Sequence, residues 1–361
     1  CASQGVATTT MSVSNSNSLP AIGTVSGFSG RRSHTEGFYA FTSYLYPTTI
    51  YRYDFAAGAS TVFKRPAVDF DAAQYETVQV FYPSKDGTKI PMFLTYRRGL
   101  AKNGQHPTYL YGYGGFNISL TPAFSVGALA WLEMGGVYAV ANLRGGGEFG
   151  PQWHLSAIKQ NRQKVNDDMI AVSEDLIARK VTSARHLGIQ GASNGGLLVG
   201  SVYTQRPDLY GAVVCRVPLL DMRRYNKLLA GASWVGEYGN PDIPEEWAYI
   251  SKYSPYQNVA KDKKYPRVLF TTSTRDDRVH PGHARKMAAL MEKMKLPFLY
   301  YENIDGGHAA AANQAEHARQ AALEFTYLTR KPPKSNLAAN STCCSERSDI
   351  RDSFRRFRRR R

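Results

Sequence analysis

The sequence predicts an α/β fold in which helices cover both faces of a mostly parallel β-sheet. From about residue 65 onwards, short apolar runs rich in β-prone residues alternate with helical stretches. Such alternation is typical of a parallel sheet whose strands are connected by helices. The chain has 361 residues and 43% hydrophobic composition, so a sizeable buried core is expected.

Six apolar runs are predicted to form the strands of this sheet. They lie at residues 109–111, 137–141, 187–190, 211–217, 268–272 and 298–301. Asn166 can cap a helix that follows it. Four apolar residues of that helix fall on one face: Met169, Ile170, Leu176 and Ile177. A second helix is predicted to begin near Pro281 and the C-terminal helix to lie within residues 315–328.

The chain divides into four predicted segments. Residues 1–26 are rich in Ser, Thr, Ala and Gly and have no strand or helix period, which predicts a low-complexity leading segment. Residues 27–66 carry short β-prone pieces, interpreted as a few antiparallel strands too few to close a sheet. Residues 67–330 form the α/β domain, and residues 331–361 form a basic tail.

The net charge of +16 is unevenly distributed along the chain. Residues 331–361 hold ten Lys and Arg against three Asp and Glu, so this tail supplies +7 and the rest of the chain +9. Few apolar residues and high charge predict a solvated, disordered tail. Non-specific contact with polyanions is the alternative, and no specific nucleic-acid partner is predicted.

Cysteine content and apolar runs bear on the cellular compartment. Four cysteines are too few for a disulfide scaffold, which favours a reducing compartment such as the cytoplasm. Cys215 is expected to be a buried thiol, whereas the neighbours Cys343 and Cys344 receive no role. A glutamate and two glycines interrupt the apolar run at residues 126–143, so no membrane span is predicted. Because Cys1 is not followed by a signal-peptide pattern, a truncated chain is expected, with a periplasmic or lipid-anchored form as the alternative.

A possible nucleophile follows the third predicted strand. Residues 191–195 read GASNG, which matches the pattern G-x-S-x-G with Ser193 at its centre. In α/β-hydrolases a strained strand-to-helix turn lifts this serine above the sheet, and only small neighbours leave room for it. The pattern also arises by chance in a chain of this length, so its position between a strand and a helix carries the prediction.

A serine nucleophile needs a base and an orienting carboxylate, which in α/β-hydrolases follow it in the order acid, then histidine. The fifth predicted strand leads into the acidic pair Asp276 and Asp277, and the sixth leads into His308. Both positions suit a triad with Ser193. The competing interpretations are an ordinary carboxylate pair and an ordinary loop histidine.

Acyl transfer also requires donors for the oxyanion. The amide of Asn194, which follows the nucleophile, would supply the first donor. The first predicted strand ends in the glycine-rich stretch 112–116, where a tyrosine hydroxyl or a backbone amide could supply the second. The alternative interpretation of this stretch is a flexible turn.

Five ordered motifs resemble those of the prolyl oligopeptidase family of serine peptidases. They are YGYGGFN at 111–117, ANLRGGGEFG at 141–150, GASNGGLLVG at 191–200, DDRV at 276–279 and GGH at 306–308. The similarity extends over about residues 19–330. It implies Ser193 as nucleophile, Asp276 as orienting acid and His308 as general base, with the Tyr113 hydroxyl and the Asn194 amide as oxyanion hole.

The resemblance also implies a proline-specific pocket and no cofactor or metal. Trp234 would form the aromatic floor for the proline ring, with a buried core tryptophan as the alternative. Arg278 would bind a peptide carbonyl, unless it forms a salt bridge to Asp277. Three further residues would line the pocket: Phe116, Leu219 and Tyr238.

The function implied is hydrolysis after proline in short peptides. Residues 27–64 resemble only the last blade of the β-propeller that precedes the catalytic domain in this family, and the arginine-rich tail has no counterpart there. The alternatives are an esterase or another oligopeptidase, and a truncated remnant with little or no activity. A dipeptidyl peptidase is disfavoured, because the glutamates that bind the substrate amine in such enzymes lie in the propeller. The sequence does not define an oligomeric state.

Two other patterns suggest sites of an unrelated kind. Residues 145–150 fit the dinucleotide pattern G-x-G-x-x-G, but proline follows directly and the motif lies in the middle of the sheet rather than in its first unit. His280 and His283 with nearby aspartates suggest zinc but lack a convincing third ligand.

Overall fold

The computed structural model describes residues 19–29, 31, 33–309 and 311–329. The predictions for residues 1–18 and 331–361, including the basic tail and the pair Cys343 and Cys344, lie outside the described residues. Two sheets are present in the described part: an antiparallel sheet of four strands and a mostly parallel sheet of eight.

The antiparallel sheet is formed by the first four strands in chain order. They are β1 (Thr24–Ser29), β2 (Glu36–Thr42), β3 (Thr49–Asp54) and β4 (Ala59–Lys64). Cross-strand aromatic pairs stabilise it, as where the rings of Tyr39 and Tyr51 stack with centroids 5.2 Å apart. Because β1 begins at Thr24, the expectation that residues 1–26 contain no strand was wrong for the last three. The division at residue 27 stays a prediction.

The larger sheet has the order β12-β11-β10-β9-β7-β8-β6-β5. Its strands are β5 (Tyr75–Pro83), β6 (Lys89–Arg97), β7 (Thr108–Gly112), β8 (Val137–Ala141), β9 (Leu187–Ala192), β10 (Ala212–Arg216), β11 (Val268–Ser273) and β12 (Phe298–Asn303). Strands β7 to β12 pair in parallel, whereas β5 and β6 form an antiparallel hairpin on β8. The α/β prediction is confirmed: five of the six predicted runs lie within a strand, and the run 211–217 exceeds β10 by one residue at each end. The hairpin β5–β6 was not predicted.

Helices connect the strands of this sheet. They are α1 (Val126–Glu133), α2 (Pro151–Leu155), α3 (Gln163–Ala178), α4 (Asn194–Gln205), α5 (Val235–Tyr238), α6 (Pro244–Ile250), α7 (Pro255–Asn258), α8 (Gly282–Lys293) and α9 (Gln314–Thr329). Buried residues of α3, α4 and α8 share one core with the sheet, whereas α1 and α9 pack together around Tyr109. Since successive strand residues point to opposite faces, this arrangement covers both faces.

The start of α3 differs from the prediction. The helix begins at Gln163, so Asn166 is a buried residue within its first turn and not its cap. The reason is that a short 3₁₀ turn, Lys159–Asn161, runs directly into α3 and Arg162 already has helical backbone angles. The predicted helix near Pro281 is present as α8, which starts at the next residue.

Two further predictions concern the compartment. Cys215 is fully buried and carries a free thiol, as expected. No helix within the described residues combines the length and the apolar character needed to cross a membrane.

Candidate active site

Ser193 lies in a sharp turn between strand β9 and helix α4. Its backbone has φ 60° and ψ −117°, in the left-handed region that a non-glycine residue rarely adopts. The turn is closed by glycine, because a side chain on Gly191 would collide with the carbonyl oxygen of Gly195. The Ser193 amide donates to the Arg216 carbonyl at 3.0 Å, which ties the turn to strand β10. The sequence therefore builds the strained elbow that a nucleophilic serine requires.

Asp276 and His308 form a close pair in the loops after β11 and β12. The Nδ1 atom of His308 lies 3.0 and 2.9 Å from the two carboxylate oxygens of Asp276. The buried carboxylate also accepts the amides of Arg278 and Val279, both at 2.9 Å. With Nδ1 engaged in this way, Nε2 is the ring nitrogen left to act as a base. The neighbouring Asp277 is exposed, so Asp276 is the carboxylate that contacts the histidine.

The third member of the predicted triad is not hydrogen-bonded to the pair. Among the described residues, Ser193 Oγ makes no hydrogen bond to His308. Catalytic contacts of this kind are commonly long without substrate and shorten when it binds. The three residues nevertheless follow β9, β11 and β12, whose parallel carboxyl ends share one edge of the sheet.

The predicted oxyanion donors lie next to this elbow. Asn194 begins α4, where a first-turn amide has no partner inside the helix. Its side-chain amide donates to the Tyr113 carbonyl at 2.6 Å, which joins the elbow to the loop after β7. A side chain on Gly195 would lie 3.6 Å from the ring of Tyr113, so this ring packs against the start of α4. Burial raises the pKa of Tyr113, and its hydroxyl is therefore a protonated donor at neutral pH.

The predicted pocket residues come together in one apolar cluster. Leu219 and Tyr238 are buried in it, and Phe116 and Trp234 pack against it while keeping part of their surface exposed. The rings of Phe116 and Tyr238 meet edge to face with centroids 5.7 Å apart. Val279, which was not predicted as a pocket residue, is also buried in this cluster. A partly exposed aromatic wall of this kind suits a flat apolar ring.

Arg278 is exposed beside the acid. Within the described part of the chain it forms no ion pair with any carboxylate, so the alternative of a salt bridge to Asp277 is not observed. Its guanidinium is close enough to lower the pKa of Tyr113, although burial outweighs that effect. The arginine is therefore available to a ligand near Tyr113.

The structure also reveals a buried charged pair that the sequence analysis did not identify. Arg162 and Glu237 are only 3% and 5% exposed, and Arg162 Nη1 donates to Glu237 Oε1 at 2.9 Å. Glu237 stands between Trp234 and Tyr238, so a charged residue within the aromatic stretch GASWVGEYG was the available signal. Its partner is 75 residues away in sequence and follows no motif.

The described residues support neither the dinucleotide site at residues 145–150 nor the zinc site at His280 and His283. The glycines of residues 145–150 do not form an open cradle, because Gly145 packs on the Gly114 carbonyl and Glu148 lies against Gly146. His283 is buried, and its Nδ1 accepts the amides of Leu220 and Asp221 at 3.3 and 3.1 Å. No group of three or more His, Cys, Asp or Glu in the described ranges is arranged to hold a metal ion.

The sheet topology, with a strand–turn–helix element at Ser193, is that of an α/β-hydrolase. The sequence profile of the Prolyl oligopeptidase family matches residues 122–332, and that of the prolyl oligopeptidase N-terminal β-propeller domain matches residues 4–66. The chain belongs to the prolyl oligopeptidase family.

Relatives in this family are similar over most of the chain. An uncharacterized peptidase of Sinorhizobium fredii is 53% identical over 87% of this chain and 43% of its own length. A prolyl endopeptidase of Elizabethkingia meningoseptica is 45% identical over 81% of this chain and 42% of its own. The solved structure of a post-proline cleaving enzyme from Rickettsia typhi is 40% identical with a TM-score of 0.81, covering 86% of this chain and 45% of that one. The chain thus spans less than half the length of these relatives.

Proposed function

We propose that this chain is the catalytic part of a serine peptidase that hydrolyses the bond after proline in short peptides. The observation that carries the proposal is the bidentate contact of Asp276 with His308 Nδ1, at the sheet edge where Ser193 occupies a strained elbow. Relatives named prolyl endopeptidase support the choice of reaction. The proposal includes a cytoplasmic location, which rests on the low cysteine content.

In the proposed reaction, His308 Nε2 takes the proton of Ser193 Oγ while this oxygen attacks the carbonyl carbon of the scissile bond. Asp276 holds the imidazole in the required tautomer and stabilises the imidazolium. The oxyanion accepts hydrogen bonds from the Tyr113 hydroxyl and the Asn194 amide. The imidazolium then protonates the leaving amine, and water, activated by His308, hydrolyses the acyl-enzyme.

Substrate selection is assigned to the apolar cluster. The proline ring is rigid and flat enough to stack on the indole of Trp234, while Phe116 and Tyr238 form the sides of the pocket. Arg278, free of carboxylate partners in the described part of the chain, would donate to a carbonyl of the peptide. A pocket with these contacts favours proline over long or charged side chains.

The test is hydrolysis of an N-blocked Gly-Pro fluorogenic amide beside matching Gly-Arg and Gly-Phe amides. The expected result is serine-dependent turnover that is fastest with the proline substrate, and Ser193→Ala is the control. Equal turnover of all three amides, or faster turnover of an ester alone, would replace the proposal with a hydrolase of other specificity.

A second candidate is a remnant that keeps the triad residues but does not fold stably enough to hold them in place. The observation that favours it is the exposure of apolar side chains on the antiparallel sheet, where Phe28, Val62 and Phe63 are 53, 53 and 61% exposed. Phe28 contacts Tyr39 whereas Phe63 contacts Phe38, so exposed apolar side chains lie on both faces of the sheet, as expected where covering elements are lacking. A cooperative thermal transition together with labelling of Ser193 by a fluorophosphonate would count against the remnant.

A further inference from the structure

The buried ion pair of Arg162 and Glu237 contacts the candidate site on several sides. Burying two charges is costly unless their geometry is good and their remaining hydrogen-bonding groups are satisfied. Each of these side chains has partners beyond the pair itself. The identity of those partners indicates what the pair does.

Glu237 holds the backbone of the pocket wall. Its Oε1 accepts the Phe116 amide at 3.1 Å as well as Arg162 Nη1, and its Oε2 lies 2.7 Å from His154 Nε2. Phe116 and Asn117 both have φ 56°, an unfavourable conformation for residues with side chains. The hydrogen bond that the Phe116 amide donates to this buried carboxylate offsets part of that strain. Glu237 therefore fixes the bend at Phe116 and Asn117, directly after the glycine-rich stretch that carries Tyr113.

Arg162 holds the residue after the nucleophile. Its Nη2 donates to Asn194 Oδ1 at 2.5 Å, and the Tyr238 hydroxyl donates to the same oxygen at 2.7 Å. The Asn194 side chain also donates to the Tyr113 carbonyl. Asn194 is 1% exposed, so its side chain is held from three directions. This is the residue whose own amide would donate to the oxyanion.

We propose that Arg162 and Glu237 are positioning residues. They hold the Asn194 amide in line with the Tyr113 hydroxyl, which lies in the loop after β7. The inference rests on the proposed function, because alignment matters only if an oxyanion forms there. Donors in an oxyanion hole act through preorganised geometry, and a displacement of about 1 Å can lower the rate on the order of a hundredfold. A merely structural ion pair would matter for stability alone.

Replacing both residues by apolar ones distinguishes a positioning role from a purely structural role. Arg162→Met or Glu237→Leu alone leaves a buried charge without its partner and should lower the Tm by several degrees. The double variant removes both charges and keeps similar volume, so most of the Tm should return. The positioning role predicts that kcat of the double variant for the Gly-Pro amide stays about 10- to 100-fold below that of the parent chain.

Two conservative variants sharpen the test. Arg162→Lys keeps the charge but loses the planar fork that reaches both Glu237 and Asn194, so kcat should fall although the Tm changes little. Glu237→Gln keeps an oxygen for the Phe116 amide and should be less harmful than Glu237→Leu. The matched control is Arg206→Met with Glu174→Leu, an exposed ion pair elsewhere, which should leave kcat unchanged.

The readouts are kcat, KM, the Tm and the second-order rate of Ser193 labelling by a fluorophosphonate. Labelling uses the elbow and the oxyanion donors but not the proline pocket. A chain that is labelled but cleaves no proline amide would refute the proposed function, while slower labelling of the double variant would still support the positioning role. Recovery of both Tm and rate in the double variant would overturn the inference, and a parent chain that is never labelled would contradict both proposals.

Discussion

Replacement of Asp276 by asparagine tests the proposed acid at a single atom. The amides of Arg278 and Val279 both donate to Asp276 Oδ1, so the asparagine oxygen should take that position. The amide nitrogen then occupies the place of Oδ2, 2.9 Å from His308 Nδ1. Because this nitrogen donates, it favours the tautomer in which Nδ1 accepts and the proton lies on Nε2, while the asparagine oxygen stays 3.0 Å from Nδ1. In that tautomer His308 cannot take the proton of Ser193.

The expected loss in kcat is about 10⁴-fold, as for the same change in the serine protease triad. This factor corresponds to about 5 kcal/mol of transition-state stabilisation. The assay is turnover of the N-blocked Gly-Pro amide at neutral pH, with the Tm measured in parallel. Since asparagine has nearly the same shape, the Tm should stay within a few degrees of the parent value.

Asp277→Asn is the matched control, since it makes the same chemical change at the exposed neighbouring residue. It should alter kcat by no more than about twofold, as expected for an exposed charge that forms no ion pair among the described residues. A loss of less than tenfold in Asp276→Asn, or an equal loss in both variants, would refute the assignment of the acid.

Three further predictions concern the pocket, the oxyanion and a buried histidine. Trp234→Ala should lower kcat/KM for the Gly-Pro amide roughly tenfold and reduce its advantage over Gly-Phe, and an unchanged ratio would contradict the stacking role. Tyr113→Phe should lower kcat by about 10²–10³ with little change in KM, and unchanged kcat would exclude the hydroxyl as a donor. Burial lowers the pKa of His283 from 6.5 to about 4. The unfolded chain is therefore protonated first as the pH falls, and stability should drop by about 3 kcal/mol between pH 6.5 and 4. His283→Asn, whose side-chain oxygen can accept the same amides, should flatten the dependence of Tm on pH, and an unchanged slope would contradict this origin.

Local sequence patterns predict the strands of the parallel region and the elbow because both follow from short-range rules. Fully buried strands appear as apolar runs, as in β11, where all six residues are buried. The GASNG turn needs small residues at fixed positions, so Gly191 and Gly195 directly indicate that Ser193 lies in a tight turn. Chain order and strand ends then indicate where Asp276 and His308 should lie.

The missed features depend on contacts between distant segments. Pro91 lies within β6 and argues against a strand, yet it stands just outside the residues that pair with β8, and its carbonyl still accepts the Asn142 amide there. Asn166 is a good cap by residue type, but the turn before α3 already directs the chain into the helix. The Arg162–Glu237 pair has no local pattern, since only the folded chain brings the two together.

The position of β12 at the border of the sheet has a consequence for inactivation. Within the described part of the chain this strand pairs only with β11, and none of its residues is fully buried. It is therefore placed to fray at a lower denaturant concentration than the central strand β9. His308 follows β12 whereas Ser193 follows β9, so fraying would withdraw the base while leaving the nucleophile in its elbow. Activity would then be lost reversibly before the core unfolds.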